Sequence, residues 1–349
     1  MQQKAARVGL LAIPLIAIAL AVAGLLVATM QVLLLVFAGV LFGLFLNRLS
    51  HTISDHTPLP YRAAYAVVIV VLVLITVGGG YYAGSRMIAR ISELSGEMSV
   101  ALQSLNDQLM DSSWGREYSD LVSQAEGMFT NGGGMLPRVL TVAGSLVWGT
   151  TAIVVILFVG FYVAFDPHLY ETGMLMLVAA NRRERAGQVV ERLRVTLVGW
   201  IIGRLISMGL VAVATMIVLA LLGVPLAVTL GVLAGLLTFI PNIGPVLAAV
   251  PQALIAFQVG PSTVLWVVLF NVALQAVESY LITPVVLQHE ATMPPALTIS
   301  AQLLMAVLVG TIGVVMAAPL TVVIMVLVRM LYIHDELGDP RVEAANSAG

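Results

Sequence analysis

The sequence predicts an all-α, polytopic membrane protein, and its composition and hydropathy are the basis for this prediction. Of its 349 residues, 60% are hydrophobic and 10% are charged, and the mean hydropathy is +1.03. Soluble domains carry about a quarter charged residues, so this chain has too little polar surface to enclose a water-soluble core. The net charge of −2 offers no basic face for nucleic acid, and the lack of cysteine excludes a disulfide framework and thiolate zinc ligands.

About six full spans are predicted, because a helix needs about 20 apolar residues to cross the hydrocarbon. The spans are residues 8–28, 32–46, 63–82, 140–165, 198–222 and 263–282. Most Lys and Arg side chains fall in loops on the N-terminal side of the membrane, which favours cytoplasmic N- and C-termini.

These spans divide the chain into five parts with different expected roles. The parts are N-terminal transmembrane helices (1–83), an extracytoplasmic amphipathic helical segment (84–138), a transmembrane helix with a cytoplasmic Arg-rich helix (139–197), a core with two hairpin repeats (198–331) and a cytoplasmic tail (332–349). The arginines of the third part are Arg182, Arg183, Arg185, Arg192 and Arg194. They either fix the topology or contact anionic lipid headgroups.

The segment 84–138 carries a stripe of apolar residues at helical spacing, which predicts an amphipathic helix. The stripe consists of Ile91, Leu94, Met98, Leu102, Leu105 and Leu109. Three interpretations remain open for its apolar face: packing on the protein's own membrane domain, a contact between subunits, or a position in the lipid interface.

Residues 224–258 and 293–331 form an internal repeat that aligns without gaps at an offset of 69 residues. Identical pairs include Pro225 and Pro294, Thr229 and Thr298, and Gly244 and Gly313. Chance similarity between two apolar segments is the alternative, but hydrophobic bias does not supply matching Pro, Thr and Gly residues.

Each repeat is predicted to form a re-entrant helical hairpin, because its arms are shorter than a full span and Pro and Gly at the turn favour non-helical backbone. The predicted tips are Pro241, Asn242, Ile243, Gly244 and Pro245 in the first copy, and Gly310, Thr311, Ile312 and Gly313 in the second. The order of crossings makes the hairpins enter from opposite faces. Such an inverted repeat, with broken helices that meet near the midplane, is typical of secondary transporters.

Arg204 and Glu278 are the only base and the only acid within the predicted spans. A charge at membrane depth is costly unless it is paired or hydrated, so each is a functional candidate. Both lie in the inner half of antiparallel helices, where an ion pair is feasible. A purely structural pair is the alternative, as is snorkelling of Arg204 to the headgroups.

Asn271, Gln275 and Glu278 are spaced by four and three residues, which places them on one face of a helix. This stripe suits a water-lined path or a polar ligand, or alternatively hydrogen bonds between helices. The candidate pathway residues are Pro241, Asn242, Gly244, Pro245, Asn271, Gln275, Glu278, Thr311 and Gly313. The candidate coupling pair is Arg204 with Glu278, whose carboxylate is suited to carry a proton or cation.

Motifs of enzymes are absent from the sequence. It contains no His-Glu-x-x-His, Gly-x-Ser-x-Gly or nucleotide-binding loop, and its five His residues are scattered over loops and the tail. We therefore expect no enzymatic activity, no cofactor and no metal site. Any transport would be driven by a gradient.

The hairpin sequences resemble the autoinducer-2 exporter (AI-2E, PerM-like) family. The resemblance lies in Gly223 to Pro225, Phe239 to Pro245, Gln275, Glu278 to Pro284, Met293 with Pro294, and Gly310 to Pro319. Asn242 departs from the family, in which an aromatic residue is common at this position, and Met293 stands where the family often has His. The resemblance implies a bacterial inner-membrane transporter that assembles as a homo-oligomer, such as a pentamer. Some members are linked to export of autoinducer-2 and others to sodium/proton exchange.

Together these observations predict an exporter of a small hydrophilic metabolite such as autoinducer-2. The alternatives are a monovalent cation (sodium)/proton antiporter, an oligomeric pore, and a non-transporting membrane scaffold that binds partners through residues 84–136. The expected partners are membrane lipid, a small-molecule or ion substrate and further copies of the chain, and nucleic acid is not among them.

Overall fold

The structure, a computed structural model, describes residues 2–74, 96–97, 100–101, 103–104, 146–282 and 294–337. All regular structure in these residues is helical, which confirms the predicted all-α class. The helices are α1 (Gln2–His56), α2 (Tyr61–Leu74), α3 (Leu146–Phe165), α4 (Pro167–Met176), α5 (Arg183–Leu221), α6 (Ala227–Leu237), α7 (Ile243–Val259), α8 (Pro261–Val277), α9 (Pro295–Val309) and α10 (Thr311–Leu327). A 3₁₀ turn, Ala180–Arg182, precedes α5, and α8 and α10 continue as π-helical segments, Glu278–Ile282 and Val328–His334.

Four helical segments among the described residues are long and apolar enough to cross a membrane. They are Thr29–His56, Ala180–Leu221, Pro261–Tyr280 and Thr311–His334. A fifth candidate is the pair formed by α3 and α4, which is bent by 89°. The bend arises because the Asp166 carboxylate accepts a hydrogen bond from the Leu169 N–H (3.2 Å) and Pro167 occupies the first turn of α4. Both features start a new helix.

Two of the predicted spans, residues 8–28 and 32–46, lie in the single continuous helix α1. The predicted break between them is wrong, because Thr29, Met30 and Gln31 include no Gly or Pro that would end a helix. At 1.5 Å per residue, α1 extends over about 80 Å, much more than the hydrocarbon thickness of about 30 Å. The membrane orientation inferred from the number of crossings remains a prediction.

The Arg-rich residues also differ from their predicted arrangement as a separate short helix. Arg185, Arg192 and Arg194 belong to the first turns of α5, which runs without interruption into the apolar span. Arg194 is paired with Glu191, one turn earlier on the exposed surface of the same helix. Such surface pairs contribute little to stability, so the chief effect of the Arg194–Glu191 pair is to keep the start of α5 hydrated.

Within residues 84–138, the structure describes residues 96–97, 100–101 and 103–104, all of which are helical. The Gln258 side chain near the end of α7 donates a hydrogen bond to the Glu97 carbonyl (2.7 Å), and Ala101 is fully buried. This part of the segment therefore contacts the protein's own membrane helices. The predicted stripe of Ile91, Leu94, Met98, Leu102, Leu105 and Leu109 lies outside the described residues.

Glycines bring α1 against α3. A Cβ on Gly43 would lie 2.9 Å from the Gly160 carbonyl oxygen, so the two backbones approach more closely than larger residues would allow. The Tyr61 hydroxyl of α2 donates to the Ala164 carbonyl of α3 (2.5 Å). These contacts join α1, α2 and α3 into one packed unit.

The central helix of the core is α5. It packs closely on α6, since a Cβ on Gly235 would lie 2.7 Å from both the Ala212 Cβ and the Met208 carbonyl oxygen. It also contributes to the main apolar cluster, which joins α1, α5, α9 and α10. The buried members of this cluster are Leu34, Ala38, Leu41, Leu197, Trp200, Ile201, Met305, Val309, Met316, Ala317, Ala318 and Val322.

Arg185, near the start of α5, ties this helix to the end of α10. Its guanidinium donates two hydrogen bonds to the Asp335 carboxylate, at 3.0 and 2.7 Å, and one to the Met330 carbonyl at 3.2 Å. The hydrogen bond from Arg185, and then the one from His334, lower the pKa of Asp335. We call this arrangement the Arg185–Asp335 clasp.

The glycine contact between α5 and α6 predicts unequal effects of two glycine substitutions. Gly235→Ala should lower the free energy of unfolding by about 1–3 kcal/mol, because the added methyl forces backbone apart. Gly209 lies on α5, the partner helix, and a Cβ added there would meet open space. Gly209→Ala should therefore be neutral or slightly stabilising. Thermal unfolding in detergent would measure both, and equal melting temperatures would contradict the close packing.

The clasp predicts a stability difference that depends on pH. Because the pKa of Asp335 is lowered in the folded protein, its stabilising contribution is present at neutral pH and is lost as the pH falls through the lowered value. Asp335→Asn should therefore reduce the melting temperature at pH 7 but not below the folded pKa. Glu336→Gln, at the neighbouring exposed acid, serves as the control and should leave the melting temperature unchanged at both pH values.

Candidate functional site

The first hairpin is formed by α6 and α7, which are separated by residues 238–242. The backbone of Asn242 has φ 64° and ψ −46°, and a positive φ is found more often at Asn than at most residues. A Cβ on Gly244 would collide with the Leu237 carbonyl oxygen, so only glycine permits the two arms to approach this closely. Pro245 fits the first turn of α7, where backbone N–H groups need no helical partner.

The second hairpin is formed by α9 and α10, which are separated by Gly310 alone (φ 78°, ψ −149°). A Cβ on Gly313 would collide with the Met305 carbonyl oxygen. In a continuous helix these residues would be about 12 Å apart along the axis, so the contact shows that the chain folds back. Gly313 is the repeat equivalent of Gly244, and both glycines lie where the two arms are closest.

Both non-helical tips differ from the predicted ones. Ile243, Gly244 and Pro245 belong to α7, and Thr311, Ile312 and Gly313 belong to α10. Pro and Gly do not break a helix at its first turn, because the N–H groups there have no intrahelical partner. The second arm of the second hairpin is also longer than predicted, since Thr311–His334 spans 24 residues and passes the length for a full crossing.

The two hairpins contact each other through a side-chain amide. The Nε2 atom of Gln302, which is fully buried on α9, donates to the Pro241 carbonyl at the tip of the first hairpin (2.9 Å). Phe239 of the same tip packs edge-on against Trp200 of α5, with ring centroids 5.8 Å apart. The tip of the first hairpin is therefore held between α5 and the second hairpin.

Arg204 of α5 bridges the same tip to α8. Its Nη1 atom lies 3.0 Å from Glu278 Oε1, and its Nε atom donates to the Phe239 carbonyl at 3.3 Å. The two charged side chains are 12% and 6% exposed. One guanidinium thus binds both a carboxylate and a carbonyl at the end of α6, where the helix dipole is negative.

Glu278 occupies the point at which α8 changes from α-helical to π-helical geometry. Among the described residues it is the only acidic side chain that is buried. Short π-helical segments occur frequently at functional sites, because they interrupt the regular hydrogen-bond ladder. The structure thus gives this acid both a charged partner and irregular local backbone.

The polar row of α8 lines a small cavity together with residues of α5, α6 and α7. Asn271 Nδ2 donates to Gln252 Oε1 of α7 (2.9 Å), and Gln275 Nε2 donates to Ser279 Oγ (3.3 Å). The cavity measures about 10 Å³, room for about one water molecule. Its lining residues are Val211, Ala234, Thr238, Pro245, Ala248, Asn271, Leu274, Gln275 and Glu278.

Two buried amides near the hairpins keep unused hydrogen-bonding capacity. Gln252 Nε2 and Gln302 Oε1 have no hydrogen-bond partner among the described residues, although the other amide atom of each side chain is bonded. A buried polar atom left without a partner costs about 1–3 kcal/mol. A water molecule or a polar solute that reached these atoms would therefore be stabilised by hydrogen bonds to them.

The structure brings some of the predicted site residues together and not others. Pro245, Asn271, Gln275 and Glu278 line one cavity, and Arg204 is bonded to Glu278. The remaining candidates do not line this cavity; they are Pro241, Asn242, Gly244, Thr311 and Gly313. Pro241 is nevertheless bonded to Gln302, whereas Thr311 is exposed.

Sequence reasoning missed two groups of this site. Thr238 lines the cavity, and its hydroxyl donates to the Ala234 carbonyl. The Phe239 carbonyl accepts from Arg204. A carbonyl partner depends on exactly where a helix ends, so no pattern in the sequence could have identified it. In the described part of the chain, no group of His, Asp or Glu could hold a metal ion.

This geometry defines a helical membrane protein whose core contains two broken-helix hairpins beside a buried ion pair. The chain belongs to the AI-2E transporter family, because the model described as "AI-2E family transporter" matches residues 13–333.

Two curated relatives come from Bacillus subtilis (strain 168). The chain is 25% identical over 233 residues to "Putative transport protein YueF", a match that covers 64% of this chain and 63% of YueF. It is 29% identical over 170 residues to "Putative transport protein YrrI", with 49% of this chain and 48% of YrrI covered. The chain therefore matches less than two thirds of the length of either relative.

The ion pair predicts strong coupling between two substitutions. Glu278→Gln and Arg204→Met should each lower the free energy of unfolding by about 3–5 kcal/mol. Each substitution removes one charge of the pair and leaves the opposite charge buried without a counter-charge. The double variant should be destabilised by less than the sum of the two. Thermal unfolding in detergent measures the cycle, and strictly additive effects would show that the pair is not formed.

Proposed function

We propose that this protein is a membrane transporter that exports a small, uncharged, hydrophilic solute such as autoinducer-2. The observation that carries the proposal is the buried Arg204–Glu278 pair with the polar row of α8, placed beside the tip of the first broken-helix hairpin in an apolar core. Polar groups at membrane depth are costly and mark substrate or ion pathways. Broken helices at such a site are a feature of secondary transporters. Membership of the AI-2E transporter family and the names of the two relatives support transport.

The charge balance of the site favours an uncharged solute. The Glu278 carboxylate is bonded to Arg204, so an arriving cation would have to displace a guanidinium from a buried position. The amides of Asn271, Gln275 and Gln252 offer both donors and acceptors. These groups match the hydroxyl and carbonyl groups of an oxygen-rich neutral molecule.

A sodium/proton antiporter is the second candidate, favoured by Glu278 as a buried carboxylate at membrane depth. Protonation would weaken its bond to Arg204 and leave that guanidinium on the Phe239 carbonyl. The tip of the first hairpin would then respond to the proton. This mechanism requires that the cation or proton, rather than a metabolite, occupies the site.

The proposed transport cycle requires movement of the hairpins. A cavity with room for one water molecule is far smaller than a metabolite. Opening of the path therefore includes separation of helices around the cavity, as in alternating access. We include in the proposal a bacterial inner membrane, cytoplasmic termini and assembly as a homo-oligomer.

Transport assays in proteoliposomes test the proposal. Vesicles with the wild-type chain should take up labelled autoinducer-2, and Glu278→Gln should lower the flux at least tenfold, because the polar balance of the site is lost. Glu184→Gln, at an exposed acid in the first turn of α5, is the matched control and should retain the wild-type flux. Thermal unfolding of each variant shows that it is folded under the assay conditions.

The same vesicles distinguish the alternatives. A sodium-triggered change of internal pH without autoinducer-2 flux would replace the exporter by the antiporter. Stepwise conductance in planar bilayers would indicate an oligomeric pore. Absence of all three signals, together with retention of a partner protein by residues 84–136, would favour the scaffold.

A further inference from the structure

A second cavity lies between α1 and α5 and shares no lining residue with the cavity beside Glu278. It is an open groove of about 350 Å³, within the size range of ligand sites. Its lining residues are Phe45, Arg48, Leu49, Thr52, Ile202, Leu205 and Ile206. Ile202 and Ile206 lie two residues on either side of Arg204, so they face away from the ion pair.

The groove has a polar end and an apolar wall. Arg48 and Thr52 are one turn apart on the same face of α1, toward its C-terminal end and the link at residues 57–60. Phe45 lies one turn before Arg48, and the wall supplied by α5 is entirely apolar. Polar groups therefore line the end of the groove near the link, and hydrocarbon lines the rest.

Arg48 is an exposed cation whose guanidinium makes no hydrogen bond or ion pair in the described part of the chain. The Thr52 hydroxyl donates to the Arg48 carbonyl (2.9 Å), which leaves the hydroxyl oxygen free to accept. Arg48 follows the predicted span 32–46 by two residues, and an anionic oxygen beside its guanidinium would form strong charge-assisted hydrogen bonds. The polar end of the groove thus has the chemistry of an anion site.

We propose that this groove binds an anionic phospholipid, with its phosphate on Arg48 and an acyl chain along the α5 wall. The guanidinium fork matches phosphate oxygens, and basic pockets between transmembrane helices are suited to anionic headgroups. A free phosphate ion would leave the apolar wall unfilled, and an apolar helix would leave the charge of Arg48 unbalanced. An amphipathic anion satisfies both ends.

The bound lipid would join α1 to the helix that carries Arg204. A ligand that binds only the folded state raises the melting temperature by mass action. The lipid should therefore stabilise the assembled core without entering the cavity beside Glu278. This inference is independent of which solute the protein moves.

Lipid-dependent thermal stability of the full chain in detergent tests this inference. Phosphatidylglycerol should raise the melting temperature of the wild-type protein more than phosphatidylcholine with the same acyl chains, and inorganic phosphate should have no effect. Arg48→Gln should weaken the apparent affinity for phosphatidylglycerol about fivefold. Arg62→Gln, at an exposed arginine of the neighbouring helix α2, should bind as the wild type does.

Ile206→Trp provides a second variant, because it fills the apolar wall and keeps the charge. It should also weaken binding of phosphatidylglycerol if the acyl chain occupies the groove. Equal stabilisation by the two lipids, an equal effect of inorganic phosphate, or wild-type binding by the folded variants would overturn the proposal.

Discussion

Backbone that leaves helical geometry within a membrane exposes carbonyl groups, and the hydrocarbon holds no water to bind them. In this protein the break between α6 and α7 creates that problem, and two side chains from other helices add to the backbone N–H donors of the turn. Arg204 donates to the Phe239 carbonyl, and Gln302 donates to the Pro241 carbonyl. Because Arg204 is charged, its position requires a counter-charge, which Glu278 provides at 3.0 Å. The arrangement of α5, α8 and α9 around the first hairpin follows from this requirement.

The close approach of the hairpin arms depends on glycine in both copies. Gly244 and Gly313 are equivalent in the repeat, and a side chain at either would collide with a carbonyl oxygen of the opposite arm. The identity of these residues in the two copies therefore has a steric reason. The copies differ where no such contact exists: the break covers residues 238–242 in the first copy and Gly310 alone in the second.

The sequence was most informative where composition and membrane energetics act together. A membrane class follows from hydropathy, and Arg204 and Glu278 stand out because charges within apolar spans are rare. Helix ends were predicted less well: the break near residue 30 is wrong, and Thr311 belongs to a helix. A Gly or Pro can break a helix in its interior but not in its first turn. Apolar periodicity does not show where a helix begins, so it cannot distinguish these two positions. Thr238 escaped notice because its role depends on the position of the break.

The helix contacts in the core differ in how readily they can be broken and replaced by contacts with water or solute. This difference indicates where movement would occur. The contact between α5 and α6 is built on glycines at backbone distance, so separating these helices would open a void that no small group fills. The contact between the hairpins is different, because it includes a single hydrogen bond from an amide whose Oε1 atom lacks a partner. Water or a solute hydroxyl can replace the Pro241 carbonyl as the acceptor for Gln302 Nε2 at little cost in free energy. It can also donate a hydrogen bond to Gln302 Oε1, which otherwise has no partner among the described residues. Movement would therefore occur more readily between the two hairpins than between α5 and α6, which would move as one unit.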